Sequence, residues 1–375
     1  MTPKAARGGA RGTLLALLVA ASVGLAGCAQ LTDIHDRSLI FGLGIDEGAH
    51  SGLIALSAQA LHPPEAGSEG AGGAGGGAGG GKGGQWRTLV ASGPTLAGAL
   101  GQLQAETDRR VFLGQLGVVF IGTSLARRGI VHDLGALVRS TQVPETLAVA
   151  VTEGRAAPFL RQGTSQQVAW MARKFLTTPR AGAAVLPNPL WHFMAQSLGM
   201  ARATYAPLFA AAPEGLGLRF VGTAVFLDGR MVDALSPEQS TALAWLTKRE
   251  GFGGVTVGTP PDEFHVAIHR VRARWDLSTP ASPRLHVAAT GEVTAAPRRS
   301  PTGGQAAMQR AAGGEMAAQL RTVLSRLQVD GADLVGIGER LRERGALPTG
   351  AWPGNFAKLR FTVSVQVHLV ALKVR

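Results

Sequence analysis

Few residues of this sequence have the types and spacing that catalysis or metal binding requires. Residues 76–82 have the glycine and lysine spacing of a phosphate-binding loop, but Gly83 stands where Ser or Thr would ligate magnesium, and the match lies within a glycine tract. His265 and His269 are four residues apart, yet the residues around them alternate between apolar and polar types, which is typical of a strand. A strand does not offer the helical face that a zinc-binding histidine pair uses. We therefore interpret both histidines as solvated or partner-facing side chains.

The remaining polar clusters do not indicate an enzyme either. Asp33, Asp36 and Asp46 are close together in the chain, and capping or turn roles account for carboxylates at such positions. The sequence contains no Gly-x-Ser-x-Gly nucleophile motif. We therefore predict a protein that is not an enzyme, with no catalytic, cofactor-binding or metal-ligating residue and no cofactor.

The first 27 residues have the organisation of a secretion signal. Basic residues at positions 4, 7 and 11 precede an apolar run over residues 13–25. A membrane-spanning helix needs about 20 apolar residues, so this run is too short to span a bilayer well. It ends in Leu-Ala-Gly-Cys, which is similar to the bacterial lipobox, where the cysteine thiol receives a diacylglyceryl group. We predict a lipoprotein signal peptide over 1–27 and lipidation at Cys28, with an ordinary cleaved signal as the alternative.

The cysteine count and the length constrain how the chain is stabilised. Cys28 is the single cysteine, so its acylation would leave no thiol for a disulfide, a metal site or a nucleophile. Stability must then come from buried apolar surface. The mature chain, 28–375, exceeds the roughly 250–300 residues at which single cores stop growing, which predicts two or three domains.

The formal net charge of +12 leaves two interpretations open. The dispersed, arginine-rich basic residues are typical of a GC-rich genome, but a basic surface could also favour an anionic membrane face. Nucleic acid is not an expected partner, because the basic residues do not cluster and the chain has one Tyr.

The pattern of apolar residues in the first half of the chain predicts sheets with packed helices. Strands are expected at 39–45, 53–61, 86–91, 111–121 and 147–152, with helices around Leu96–Leu103 and over 124–139. Residues 63–84 are dominated by glycine and predict a flexible loop, since they cannot bury enough apolar area to offset ordering entropy. Repeated prolines over 177–214 predict an inter-domain connection. The N-terminal domain is therefore placed at 28–214.

The second half, 215–375, predicts a C-terminal region of two subdomains that divide near 275–300. Asp228-Gly229 joins two apolar runs as a tight hairpin turn, and Pro237 begins a helix. Strands are expected at 265–275 and 285–294, and helices at 305–327 and 334–344. From Leu359 to Leu369 apolar residues alternate strictly with polar ones, which predicts a half-buried strand. The fold class is thus α+β, a mixed multi-domain protein in three domains.

Several short motifs, taken in order, resemble one known family. Gly42-Leu43-Gly44-Ile45-Asp46 has the Gly-x-Gly-Ile-Asp pattern of the Ger(x)C family of spore germination proteins, at the expected distance from Cys28. The segments 96–100, 109–112, 117–122 and 125–130 resemble the helices and strands that follow in the family. In the second half, 222–226, 243–246 and Asp333 with the glycines after it are similar to the family's later segments. Ala29-Gln30 departs from the usual Trp-Asp after the lipidated cysteine.

The resemblance implies a function that the residues alone do not. Members are lipoprotein C subunits of nutrient germinant receptors, without known catalysis. The implied protein is a lipid-anchored, non-enzymatic subunit at the outer face of the spore inner membrane, required for nutrient-triggered germination. Its partners would be the receptor A subunit, a transporter-like B subunit and the membrane itself. The alternative is a lipid-anchored solute-binding protein of an importer, but that class needs two repeated lobes around a cleft, and no such repeat is evident in the sequence.

Overall fold

A computed structural model describes residues 34–50, 52–62, 85–161, 185–212, 217–247, 253–260, 262–295 and 304–370, together with positions 169, 172 and 176. Within these ranges the strands are β1 Arg37–Glu47, β2 Ile54–His62, β3 Gln85–Gly93, β4 Arg110–Phe112, β5 Val118–Gly122, β6 Ala148–Thr152, β7 Ala203–Ala211, β8 Leu218–Leu227, β9 Arg230–Leu235, β10 Gly254–Val257, β11 Phe264–Asp276, β12 Arg284–Ala295 and β13 Thr362–Leu369. The helices are α1 Leu96–Leu103, α2 Thr123–Arg128, α3 Val131–Val138, α4 Ala157–Arg161, α5 Leu190–Leu198, α6 Pro237–Thr247, α7 Gly304–Asp330, α8 Ile337–Glu343 and α9 Trp352–Phe356.

The large sheet has the order β3-β2-β1-β5-β6-β7-β8-β9, with β4 paired to one end of β1. Its centre, β1-β5-β6-β7, is parallel, and antiparallel hairpins extend it on both sides. Both faces of β5 are buried. Val119 and Ile121 pack into one core with α1, α2, α3 and α5, whereas Val118 and Phe120 pack into a second core with α4. Helices on both faces of a parallel centre explain why these strands are almost wholly apolar.

The small sheet has the order β10-β11-β12-β13, in which β13 runs parallel to β12 after a crossover through α7, α8 and α9. Its inner face packs on the long helix α7, whose buried residues include Met316, Leu320 and Leu327. Tyr205 and Val225 of the large sheet belong to the same core, which is therefore continuous between the two sheets. The structure confirms the predicted α+β, multi-domain class.

Most of the predicted elements are present. The hairpin β8–β9 turns at Asp228 and Gly229, whose φ values of 52° and 77° are those of the turn that Asp-Gly favours. The last strand alternates as predicted, since Val367 and Leu369 are buried while Gln366 and His368 are exposed.

Two predicted elements are wrong, since the structure divides each of them in two near a glycine. The single strand over 111–121 is instead β4 and β5, separated by a turn at Gly114 in which the Leu116 amide donates to the Leu113 carbonyl over 3.0 Å. The single helix over 124–139 is instead α2 and α3. Gly129, at φ +118°, ends α2 in a conformation that L side chains rarely adopt.

The proline-based interpretation of 177–214 is corrected for residues 190–211, which form α5 and β7. Pro207 lies inside β7, and β6 pairs with β7 only at Leu208 and Phe209, so that ladder begins beyond the proline. The predicted boundary at 214/215 falls between β7 and β8, which are neighbours in the large sheet. The division into three domains, with its boundaries, stays a prediction.

Candidate functional site

The predicted lipidation site, the predicted signal peptide and the predicted flexible loop lie outside the described ranges. Cys28, the signal peptide over 1–27 and the glycine-rich loop over 63–84 all fall there. In the part of the chain that the structure does describe, no helix is long and apolar enough to span a membrane.

The two histidines of β11 do not form a pair. His265 Nδ1 lies 3.0 Å from Thr256 Oγ1, and His269 Nε2 lies 3.5 Å from Glu292 Oε2. A register irregularity separates the two positions along β11. Among the described residues, no group of three or more His, Cys, Asp or Glu side chains could hold a metal ion. The two histidines are therefore in separate polar contacts.

The glycines of the Gly-x-Gly-Ile-Asp motif lie where β1 passes close to a helical segment. A Cβ at Gly42 would come within 2.5 Å of the Ala169 Cβ. A Cβ at Gly44 would lie 2.9 Å from Leu160 Cδ1 and 3.2 Å from the Ala156 Cβ. Real Cβ atoms almost never approach another heavy atom within 3.0 Å, so glycine at these positions lets α4 and its neighbours pack directly on β1.

Asp46, the last residue of the same motif, is a buried helix cap. Its side chain is 2% exposed, and its Oδ1 and Oδ2 accept hydrogen bonds from the backbone amides of Ala156 and Ala157 over 2.8 and 2.9 Å. These amides precede and begin α4, and a helix N-terminus leaves such donors unpaired and favours negative charge. The motif therefore holds the N-terminus of α4 at the carboxyl end of β1.

Asp333 has the same role in the second half of the chain. It is 3% exposed and accepts hydrogen bonds from the backbone amides of Ile337 and Gly338, over 3.1 and 2.7 Å, and from Trp352 Nε1 over 2.9 Å. Burial raises the pKa of Asp333, and the three hydrogen bonds partly offset that effect. Gly336 has φ +72°, and a Cβ at Gly338 would collide with the Trp352 ring. The Asp-x-x-Gly-x-Gly segment thus caps α8 and holds α9.

An ion pair between Asp233 of β9 and Arg326 joins the large sheet to α7. Arg326 of α7 donates from Nη2 to Asp233 Oδ1 over 2.7 Å and from Nε to Asp233 Oδ2. Burial opposes ionisation of Asp233, but the hydrogen bond from Arg326 keeps the pKa of Asp233 below its ordinary value. Asp330 lies beside this pair, and its buried Oδ2 has no hydrogen-bond partner among the described residues. Burial, together with the charge of Asp233, raises the pKa of Asp330 from 3.8 to about 6.

The outer face of the small sheet carries a groove that sequence reasoning missed. Adjoining cavities of about 500 and 350 Å³ run along the strands and share Arg272, Ala288 and Gln366. We call this surface the basic groove; it is lined by Arg270, Arg272, Arg274, His286, Ala288, Thr290, Ser364, Gln366 and His368. The available signal was the Arg-x-Arg-x-Arg spacing over 270–274, because residues two apart on a strand share one face. This row of arginines corrects the interpretation of the basic residues as dispersed.

Family models match both halves of the chain. The model described as spore germination protein N-terminal domain matches residues 30–211. The model described as spore germination B3/GerAC like, C-terminal, matches residues 221–372. Both capped motifs lie inside these matches, Asp46 in the first and Asp333 in the second.

Individual relatives agree with the family models. The chain is 28% identical over 228 residues to the putative spore germination protein YfkR of Bacillus subtilis (strain 168), which covers 59% of this chain and 57% of that protein. It is 24% identical over 264 residues to the spore germination protein GerQC of Bacillus cereus, which covers 69% of this chain and 68% of that protein. The crystal structure of the GerBC protein has the same fold, with a TM-score of 0.56 at 14% identity, covering 89% of this chain and 99% of that structure. The chain therefore belongs to the Ger(x)C family of spore germination proteins.

Proposed function

We propose that this protein is a lipid-anchored, non-enzymatic subunit of a nutrient germinant receptor, required for spores to respond to nutrients. The observation that carries the proposal is that two spore germination models match residues 30–211 and 221–372. The buried carboxylates of the motifs support a non-catalytic role, because Asp46 and Asp333 are each committed to helix capping rather than open to a substrate.

The anchor in this proposal is a diacylglyceryl group on Cys28. The cysteine ends a lipobox-like Leu-Ala-Gly-Cys run and lies two residues before the first family match begins. Acyl burial contributes about 0.8 kcal/mol per CH₂, and two chains hold a protein stably at a membrane where one chain is marginal. The proposed signal peptide, 1–27, would be removed when the anchor is attached.

Cys28→Ala tests the anchor directly. We expect the variant to remain unprocessed or to leave the membrane fraction, while Ala29→Ser as a neighbouring control should behave as wild type. Mass spectrometry of the membrane fraction reads the acyl group. If the Cys28→Ala protein fractionates with membranes as a cleaved, mature-sized chain, lipidation is not the anchor.

The proposed location is the outer face of the spore inner membrane, where the anchored protein would dock on the A subunit and the transporter-like B subunit of the receptor. Tethering confines the protein to the partners' membrane and raises its effective concentration there, so a modest interface would suffice. In this proposal the N-terminal domain is 28–214 and the C-terminal region 215–375 contains two subdomains that divide near 275–300.

A deletion strain tests the receptor role. Spores without the protein should fail to germinate with one class of nutrient, but they should still germinate with triggers that bypass receptors. The tagged wild-type protein should co-purify with A and B subunits from spore membranes. Normal germination on every nutrient in a strain without other receptors, with no such subunits recovered, would favour the importer-associated solute-binding alternative.

A further inference from the structure

The basic groove is built by the register of three strands. Arg272 of β11, Ala288 of β12 and Gln366 of β13 are directly opposite one another in the sheet. Ala288 is exposed and small, so the longer side chains on either side form two walls above it. Since neighbouring strands are about 4.8 Å apart, these walls stand roughly 10 Å apart, which is the width of one extended polypeptide with its side chains.

One wall of the groove is cationic along its whole length. Arg270, Arg272 and Arg274 are exposed on β11 at alternate positions, and thus about 6.7 Å apart. Within the described ranges, none of the three guanidinium groups forms an ion pair. The acidic residues on this face lie beyond the ends of the arginine row: Asp276 is opposite Arg284, and Glu292 is near His269.

The facing wall supplies neutral polar groups and histidine. Ser364 of β13 belongs to this wall, and its Oγ lies 2.8 Å from Nδ1 of His286, which stands on the floor strand β12 at one end of the groove. Gln366 and His368 continue this wall, and both side chains are exposed. These groups can accept and donate hydrogen bonds to a peptide backbone, while the arginine fork is suited to carboxylates.

We propose that the basic groove binds an extended, acidic segment of a partner protein. A strand-like peptide places alternate side chains on one side at the same repeat as the arginine row, so carboxylates at every second residue meet successive guanidinium groups. This inference goes beyond the receptor role and does not depend on it, because it concerns binding by the isolated protein.

The shape and composition of the groove favour a peptide over a lipid surface. A bilayer is flat, whereas this face is concave and its cationic groups lie in one wall. The residues that line the groove include no Trp, Tyr, Phe or Leu, which are the side chains that proteins usually place at a membrane interface.

The first experiment measures binding of a fluorescein-labelled peptide of alternating Glu and Thr by anisotropy, with the purified full chain carrying Cys28→Ala so that no acyl group contributes. The control peptide replaces each Glu by Gln. We expect saturable binding of the acidic peptide, much weaker binding of the control, and a loss of affinity as NaCl is added. Equal affinity for both peptides would overturn the assignment.

Two kinds of variant then locate the binding. Reversing the arginine row, with Arg270→Glu, Arg272→Glu and Arg274→Glu together, should weaken binding at least about tenfold, or about 1.4 kcal/mol. The matched control reverses three exposed arginines outside the groove, at positions 219, 310 and 321, and should leave the affinity within about twofold. Each variant is first shown to unfold at the wild-type temperature.

Ala288→Trp separates a groove from general electrostatic attraction. The substitution fills the floor without a change of charge, so it should abolish binding while all three arginines remain. Unchanged binding in this variant, or equal losses in the arginine-row variant and its control, would overturn the groove. Vesicles of phosphatidylglycerol and phosphatidylcholine form the last arm. Binding to these vesicles that depends on the arginine row, without binding of the acidic peptide, would assign the surface to lipid instead.

Discussion

Removal of the Asp46 carboxylate should lower the free energy of unfolding of the protein. Asp46→Ala leaves the amides of Ala156 and Ala157 without their acceptors, at a site where the carboxylate is 2% exposed. Each unpaired buried donor costs about 1–3 kcal/mol. Loss of a buried charge offsets part of this cost. We expect a net loss of about 2–4 kcal/mol, which is a large share of the 5–15 kcal/mol by which proteins are typically stable.

The assay is equilibrium unfolding in urea, followed by circular dichroism. The midpoint should fall while the slope of the transition stays the same, because the same surface is exposed on unfolding. Asp46→Asn retains one carbonyl acceptor and should lose about half as much. Asp36→Ala removes an exposed carboxylate at the opposite end of β1 and should stay within about 0.5 kcal/mol of wild type. An Asp46→Ala midpoint indistinguishable from that of Asp36→Ala would refute the capping role.

The remaining predictions concern two sites in the second half of the chain and the glycine-rich segment of the first half. The pKa of Asp330 is raised to about 6, so the folded protein holds this proton more tightly than the unfolded chain does. The protonated carboxyl is therefore compatible with full stability below pH 3.8, and that stability is lost as pH rises through 6 and the buried group ionises. Asp330→Asn should therefore be more stable than wild type at pH 7, by about 1–2 kcal/mol after allowance for partial exposure, and close to wild type near pH 4; equal differences at both pH values would contradict this. Val365→Asp places a charge on the face of β13 that packs on the core, and it should lower the free energy of unfolding by several kcal/mol. The control Gln366→Asp lies on the opposite face and should cost about 0.5 kcal/mol or less, as measured by thermal unfolding. A Val365→Asp protein as stable as Gln366→Asp would show that this face is free. Replacement of residues 67–84 by a short turn should leave the melting temperature unchanged or slightly raised, since closure entropy changes slowly with loop length; a fall of many degrees would mean that the segment is packed.

The elements that were predicted correctly are those specified by their own residues. Alternation over 362–369 is a property of consecutive side chains, and the turn at Asp228-Gly229 depends on two residues. The errors arose where a local pattern had two solutions. An apolar run over 111–121 suits one strand or two, and only the pairing of β4 and β5 with different parts of β1 separates them. Likewise, prolines usually mark connections, but β7 tolerates Pro207 within the large sheet.

By itself, the sequence determined the α+β class, most strands and helices, the candidate anchor at Cys28 and the motifs that resemble the family. Tertiary structure decided what those motifs do. Asp46 meets Ala156 across 110 residues of chain, and Asp233 meets Arg326 across 93. The basic groove likewise depends on contacts such as His286 with Ser364, which are 78 residues apart. Periodicity reports which side chains share a face, but it does not report which strands become neighbours. The capping roles and the groove therefore became visible only when the chain was folded.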